Sequence, residues 1–292
     1  MKRMISALVF FILLFFSSTV FGSYTIGVLA KRGAPKCMQQ WGAMASYLSQ
    51  QTGEKFRILP LKFTAIEPAV KAGKIDFMLA NSAFYVEMKK KYGVKAIATL
   101  INSRKGKALK QFGGVLFVKK SKNIRTIKDL RGKSFMVVKF SSFGGGHMVW
   151  RLLVENGINP KRDFSKFIEG KKHDNVVLAV QNGTVDVGTV RSDTLERMHD
   201  EGKININNFR ILNRKKDKFP FVRSTRLYPE WPMASLTKTN KRVAKKVASA
   251  LKSMNKNSNA AKKAKIMGWT SPLDYDPVAD CLKKIKYGIF SK

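Results

Sequence analysis

The sequence predicts an α/β protein of two similar lobes, each a mixed sheet flanked by helices, with a hinge between them. Three observations predict it. Strand-like and helix-like stretches alternate along most of the chain, the pattern of sheets covered by helices. The chain also repeats itself. Residues 69–88 read AVKAGKIDFMLANSAFYVEM and residues 179–198 read AVQNGTVDVGTVRSDTLERM, aligned without a gap and identical at Ala69/Ala179, Val70/Val180, Gly73/Gly183, Asp76/Asp186, Ser82/Ser192 and Met88/Met198. Finally, about 270 residues follow the N-terminal leader, which suits two lobes better than one core.

The leader is residues 1–22. Lys2 and Arg3 precede an apolar run from Ile5 to Phe16, and small residues then allow a cut after Gly22. That is the pattern of a secretory signal peptide, so the expected location is the periplasm. No Cys follows the cut, so lipid attachment is not indicated.

The first expected strand is 24–30, running through Lys31-Arg32-Gly33 into a helix that ends near Gln51 before Gly53. A strand at 56–61 leads into the first copy of the repeat. Each copy ends a helix at Gly, continues as an apolar strand, and opens a new helix at a polar residue and Ser. Gly accepts the left-handed conformation past a helix end, and Ser caps free N–H groups at a helix start. Strands follow at 95–101 and 113–120, with a basic loop between them at 104–110. The second lobe begins with a short helix and turn at 126–133 and a strand at 134–140. Ser141-Ser142-Phe143-Gly144-Gly145-Gly146-His147 then opens a helix. The second copy of the repeat follows. FRILNR (209–214) and PFVRST (220–225) read as strands returning to the first lobe, ahead of the turn Tyr228-Pro229-Glu230-Trp231-Pro232 and Lys-rich helices. The expected division is 23–115 plus 210–292 for lobe 1 and 120–208 for lobe 2.

The formal charge is +37, and +35 without Lys2 and Arg3. Such a field attracts anions and anionic surfaces. The lysines are nevertheless spread along the chain. In 241–254, Val243, Val247, Leu251 and Met254 form an apolar stripe that Lys241, Arg242, Lys245, Lys246 and Lys252 surround, the pattern of a solvated helix face. General basicity therefore outweighs a dedicated polyanion-binding surface, and no nucleic-acid reader motif accompanies it. Enzyme constellations are missing too. His147, His173 and His199 lack metal-ligand spacing, no Gly-x-Ser-x-Gly occurs, and acids are scarce. No enzymatic activity, metal or cofactor is expected.

Candidate ligand residues lie where strands run into helices, since unpaired helix N–H groups there favour anions. Ser141 and Ser142, with the bare Gly N–H groups after them, form either an anion cradle or a simple flexible turn. His173 opens a helix, either donating to an oxyanion or capping the surface. Arg191 ends a buried-looking strand and either faces a cleft or pairs with Asp193; the cleft is favoured. Arg32 holds the matching place after the first strand. Ser82 opens the helix after the first repeat strand. Arg suits planar, bidentate oxyanion contacts. Cys37 and Cys281 leave three options open: buried free thiols, a disulfide if the terminal helix packs back on the first, or a reactive thiol.

Several blocks together resemble a known family. They are YTIGVLAKRG, IDFMLANSAFYV, SSFGGGH, GKKHDNVVLAVQNGTVDVGTVRSDTLERM, RLYPEWPMASL and GWTSPLDYDPV. The chain resembles the phosphate/phosphite/phosphonate-binding periplasmic solute-binding proteins, most closely the subset related to periplasmic domains of tetrathionate-sensing histidine kinases. The resemblance implies the two-lobe fold of a type II periplasmic binding protein that closes on a small oxyanion. It places Ser141, Ser142, His173 and Tyr85 at the ligand. It also implies a monomer serving a membrane ABC permease or, alternatively, a sensor histidine kinase to which it presents a sulfur oxyanion. Phe143 departs from the small hydroxyl residue of the phosphonate binders. That change, with Arg32 and Arg191 near the cleft, favours a more anionic ligand than an aminoalkyl phosphonate. The rival of another class is a polyanion-binding surface protein.

Overall fold

A computed structural model of the chain describes residues 23–291. The expected leader lies outside the described residues. In chain order the elements are β1 (Ser23–Leu29), α1 (Ala34–Thr52), β2 (Lys55–Leu61), α2 (Ile66–Lys71), β3 (Phe77–Leu79), α3 (Ser82–Tyr92), β4 (Lys95–Arg104), β5 (Lys107–Leu109), β6 (Gln111–Phe112), β7 (Gly114–Lys119) and β8 (Ser134–Val137). They continue with α4 (Met148–Glu155), α5 (Pro160–Asp163), β9 (Lys166–Glu169), α6 (His173–Gln181), β10 (Val187–Arg191), α7 (Thr194–Asp200), β11 (Phe209–Leu212), β12 (Tyr228–Pro229), β13 (Pro232–Ser235), α8 (Lys241–Lys252), α9 (Asn259–Ala264), β14 (Ile266–Thr270) and α10 (Asp276–Lys284).

One sheet has the order β14-β4-β13-β3-β1-β2, with β5 on β4; the other has the order β11-β7-β10-β8-β9. The repeat explains their likeness. In the first sheet β1 pairs in parallel with β2 and β3; in the second β8 pairs in parallel with β9 and β10. The two repeat aspartates do the same work. Asp76 Oδ2 accepts the Thr25 N–H of β1 at 2.8 Å, and Asp186 Oδ2 accepts the Ser134 N–H of β8 at 3.0 Å. Gly73 and Gly183 both hold positive φ, as helix stops require.

The strand next to β3 is antiparallel β13, and the strand next to β10 is antiparallel β7. Each directly follows a passage from the other lobe. The two passages pair as a small hinge ribbon, Phe112 opposite Tyr228 and Gln111 opposite Pro229. Helices cover the sheets through the faces their periodicity gives. On α1, Cys37, Trp41, Met44, Ala45 and Leu48 are buried. The α1 face packs on α8 and α9, where Tyr47 Oη donates to Ala250 O at 2.7 Å and Gln40 Nε2 to Ala264 O at 3.0 Å. Burying such a set of side chains contributes roughly 1.5–3 kcal/mol each for the large ones.

Two expectations need correction. Residues 209–212 do not return to the first sheet: β11 pairs with β7, because Leu212 completes the second core beside Leu116. Residues 220–225 form no strand. The chain re-enters the first lobe at β12 and β13 rather than at residue 210. Of the three options open for the cysteines, the structure holds the first, buried free thiols. Cys37 Sγ faces Val28 O and Cys281 Sγ faces His147 O, each a buried free thiol in its own packing site.

Candidate functional site

A cleft opens between β1, β4, the start of α1, the end of β10 and the second hinge passage. Lys31, Arg32, Lys36, Cys37, Asn102, Arg104, Arg191, Glu230 and Trp231 are among its walls. The turn after β1 builds the first wall. Gly33 takes φ 93°, a left-handed value that lets the chain leave the strand and start α1 at once. This sharp turn places Lys31 inward and leaves Arg32 exposed. Lys31 Nζ lies 4.9 Å from the centroid of the Trp231 ring, a cation–π contact. Neither Gly33 before α1 nor Lys172 before α6 supplies a side-chain cap, so both helix starts keep N–H groups free of side-chain caps.

Arg191 forms the opposite wall. Its Nη2 donates to Glu230 Oε1 at 2.7 Å, and its guanidinium stacks 4.3 Å from the centroid of the Phe112 ring. Asn102 Nδ2 donates to the same Glu230 oxygen at 2.9 Å. Asp193 lies 3.5 Å from Arg191 Nε and pairs with Arg104. Arg191 therefore meets both alternatives posed by its sequence position, lining the cleft and neighbouring Asp193. Glu230 is fully buried, and Arg191 is 7% exposed. Glu230 Oε2 and Arg191 Nε have no hydrogen-bond partner among the described residues.

Cations outnumber acids in these walls, five to one. The imbalance sets the proton chemistry. Burial, reinforced by Arg191, Arg104 and Arg32, pulls the Lys31 ammonium down to about 7, although Glu230 opposes the shift. Burial alone would raise the Glu230 carboxyl, but Arg191, helped by Asn102 and Arg104, holds it below the usual range. Burial, then Lys31, Arg191, Arg32 and Arg197, holds the His173 imidazole well below its usual value. His173 is thus neutral at pH 7. The Arg191 backbone N–H reaches its Nδ1 at 3.4 Å, which leaves the ring proton on Nε2. Together the wall cations can bind an anion of more than one negative charge, with the uncapped start of α1 beside them; His173 touches the Arg191 backbone but is not among the cleft walls.

The remaining expected residues sit differently. Asn81 Nδ2 donates to Ser141 O at 3.4 Å, so the segments that follow β3 and β8 meet across the lobes. Ser142 is buried, and its Oγ accepts the Gly145 N–H at 3.3 Å. The glycines of 143–147 serve close packing: a Cβ at Gly144 would fall 2.6 Å from Phe112, and one at Gly145 2.4 Å from Val138. Two residues turn away from the cleft. Ser82 Oγ donates to Pro229 O at 2.8 Å and fastens the second hinge passage; Asn81, not Ser82, caps α3. The repeat partner of Ser82, Ser192, fastens the first passage in the opposite sense, its Oγ accepting the Gly113 N–H at 3.2 Å. Tyr85 is buried in the first lobe, its Oη accepting the Ala96 N–H at 3.2 Å and its ring against Tyr275.

Two mixed α/β lobes of this strand order, with a hinge ribbon and a cleft between them, are those of a type II periplasmic binding protein. The family model described as "ABC transporter, phosphonate, periplasmic substrate-binding protein" matches residues 26–276, and the chain belongs to that family. It is 33% identical over 232 residues to the tetrathionate sensor histidine kinase TtrS of Salmonella typhimurium, a match covering 79% of this chain and 39% of that protein. The chain thus spans well under half the length of this curated relative. Among solved structures it resembles a binding protein component of an ABC phosphonate transporter from Pseudomonas aeruginosa, with TM-score 0.72 and 14% identity over 90% of this chain and 87% of that one. PhnD1 from Prochlorococcus marinus, in complex with methylphosphonate, gives TM-score 0.71 and 14% identity over 90% of this chain and 98% of that one.

Proposed function

We propose that this protein is an exported solute-binding protein that closes its lobes on a small, multiply charged oxyanion and hands it to a membrane ABC permease. The observation that carries the reading is the cation excess at Lys31, Arg32, Arg104 and Arg191, set on a cleft beside a two-strand hinge. Ligand contacts are Lys31, Arg32, Arg104, Arg191 and His173, with Ser141 at the rim. The match to the tetrathionate sensor kinase favours one second reading, presentation of a sulfur oxyanion to a histidine kinase. Both readings share one binding step and need no catalysis. Among the described residues no helix is long and apolar enough to cross a membrane. Export through the leader predicts a secreted form beginning at Ser23, which N-terminal sequencing checks.

A thermal-shift screen over phosphate, phosphite, methylphosphonate, sulfate, thiosulfate and tetrathionate tests the reading. A ligand at 100 times its Kd is expected to add about 2.7 kcal/mol of stability and raise Tm accordingly. Phosphorus oxyanions as the best ligands support transport of the family type, and tetrathionate as the best ligand supports sensing. No shift with any of them, together with polyphosphate binding that collapses steeply with salt, would leave the polyanion surface as the better reading.

A further inference from the structure

The lysines are spread over the whole chain, but the acids that offset them are not. The seven helices α2 to α7 and α10 each carry at least one Asp or Glu, whereas α1, α8 and α9 carry none. The fold brings those three together. α1 packs against both α8 and α9, and α8 and α9 also lie on β14, so the three form one layer over the first sheet. On the same lobe α3 packs against α2 and α10, and that group holds Glu67, Glu87, Asp276 and Asp280. From Trp231 to Leu273, a stretch that includes α8 and α9, the chain has nine Lys, one Arg and no acid. Only two of those cations meet a carboxylate among the described residues. Lys238 pairs with Asp76 at 3.0 Å, and Lys246 lies 3.9 Å from Glu54. Lys241, Lys245, Lys252, Lys262 and Lys263 are exposed and make no ion pair among the described residues. Met38, at 45% the most exposed large apolar side chain among the described residues, belongs to α1 in the same layer.

We propose that this acid-free layer is a docking surface for an anionic phospholipid membrane and holds lobe 1 against the bilayer. Charge complementarity carries the inference. A face of unpaired cations is drawn to a sheet of negative headgroups, and each lysine near that sheet adds about fivefold in affinity. The kind of cation selects lipid over protein. Protein interfaces are enriched in Arg and aromatic residues and poor in Lys, whereas fluid headgroups need only mobile positive charges. An exposed methionine among those charges adds apolar contact at the acyl boundary. The start of α1 also supplies Lys36 and Gln40 to the cleft wall, so a docked protein keeps its cleft beside the membrane. The docking surface is separate from the ligand-binding step and does not depend on which anion the cleft takes.

Vesicle flotation tests it, with mixed phosphatidylglycerol and phosphatidylcholine vesicles beside vesicles of phosphatidylcholine alone. The parent is expected to bind the anionic vesicles only and to release them as salt rises. The combined change Lys245→Gln, Lys252→Gln, Lys262→Gln and Lys263→Gln is expected to weaken binding about 100-fold or more. Lys120→Gln, Lys128→Gln, Lys166→Gln and Lys216→Gln together remove the same charge at exposed positions outside the layer, and are expected to cost less than about fivefold. Gln matches Lys in helix propensity, so both sets should keep the parent Tm. Lys31→Gln should leave vesicle binding unchanged, which keeps a failure of the cleft reading distinct from a failure here. Equal losses in the two combined variants would assign the binding to net charge and overturn the proposal. So would a parent that floats with both kinds of vesicle or with neither. A parent held only by bacterial inner-membrane vesicles, and released by protease treatment of them, would assign the face to an acidic protein instead.

Discussion

Arg191→Ala is expected to cost roughly 3–5 kcal/mol of folding stability, apart from any loss of ligand affinity, because it strands a buried charge. Glu230 is fully buried and its carboxylate is held by Arg191 at 2.7 Å and Asn102 at 2.9 Å. Asn102 alone does not neutralise it. The cost also has a pH signature. The folded Glu230 pKa is depressed, so the stability it contributes is present above the unfolded carboxyl pKa and is lost as pH falls through the folded value. Denaturant titration of Arg191→Ala should show the midpoint shift at pH 7 and a smaller one in acid. The double change Arg191→Met with Glu230→Gln removes both charges and should recover most of the loss, since replacing a whole buried pair is often neutral. A loss below about 1 kcal/mol for the single change would contradict the buried-pair account. The consequence for ligand work is direct: weakened binding in Arg191→Ala cannot be assigned to a lost contact until stability is measured, and Arg104→Gln is a complementary probe of the same wall.

Much of the architecture could be read from one repeat. Gly73 and Gly183 stop helices, Asp76 and Asp186 pin strand starts, and a short apolar strand lies between in both copies. Those are local interactions, which a sequence pattern carries well. The repeat serines were harder, because their partners are the hinge passages, Pro229 for Ser82 and Gly113 for Ser192. The spacing Ser-to-helix looks the same for a cap and for a tether. Arg191, His173 and Arg32 were legible as strand-end groups. Lys31 was hidden by its neighbour: both side chains line the cleft, but the turn at Gly33 half-buries Lys31 and leaves Arg32 exposed. Asn102 and Arg104 fell in what read as the edge of a basic loop, yet β4 and β5 form a ladder there. Glu230 carried a signal that went unused. An acid between Pro and Trp, in a chain with 19 acids and 56 Lys and Arg, is an improbable place for a purely solvated carboxylate. Tyr85 misled in the other direction, because the aromatic after the first repeat strand packs on Tyr275 rather than facing the cleft.

Anion affinity is expected to fall as pH rises above about 7, by about tenfold per pH unit, reaching about 100-fold by pH 9. The cause is Lys31, whose folded pKa is about 7 because burial and the arginines around it disfavour the ammonium. The sign follows from linkage. Below 7 Lys31 is charged and attracts the anion. Above 7 it is neutral in the free protein and must take up a proton as the anion binds, and each further unit of pH makes that proton scarcer. The drop continues until the pH passes the raised pKa of the bound form. Without ligand the same shift works on folding: between about 7 and the ordinary lysine pKa the unfolded chain holds the proton and the folded chain does not, so this group's contribution to stability rises with pH. His173 adds nothing in this window, since its depressed pKa keeps it neutral throughout. Glu87, whose pKa burial raises to about 7, lies on α3 against the Gly288 turn and outside the cleft walls. Lys31→Arg separates the two, because it fixes the cleft charge and leaves Glu87 intact. The measurement uses an anion that does not itself titrate between pH 6 and 9, such as sulfate or thiosulfate. The parent should show the slope, with proton uptake of about half a proton per anion at pH 7 in buffers of different ionisation enthalpy. Lys31→Arg should flatten the profile near its acid-side affinity, and Lys31→Gln should flatten it near its alkaline-side affinity. A parent profile that is level from pH 6 to 9 would remove Lys31 from the binding step and leave Arg32, Arg104 and Arg191 as the cations that hold the anion.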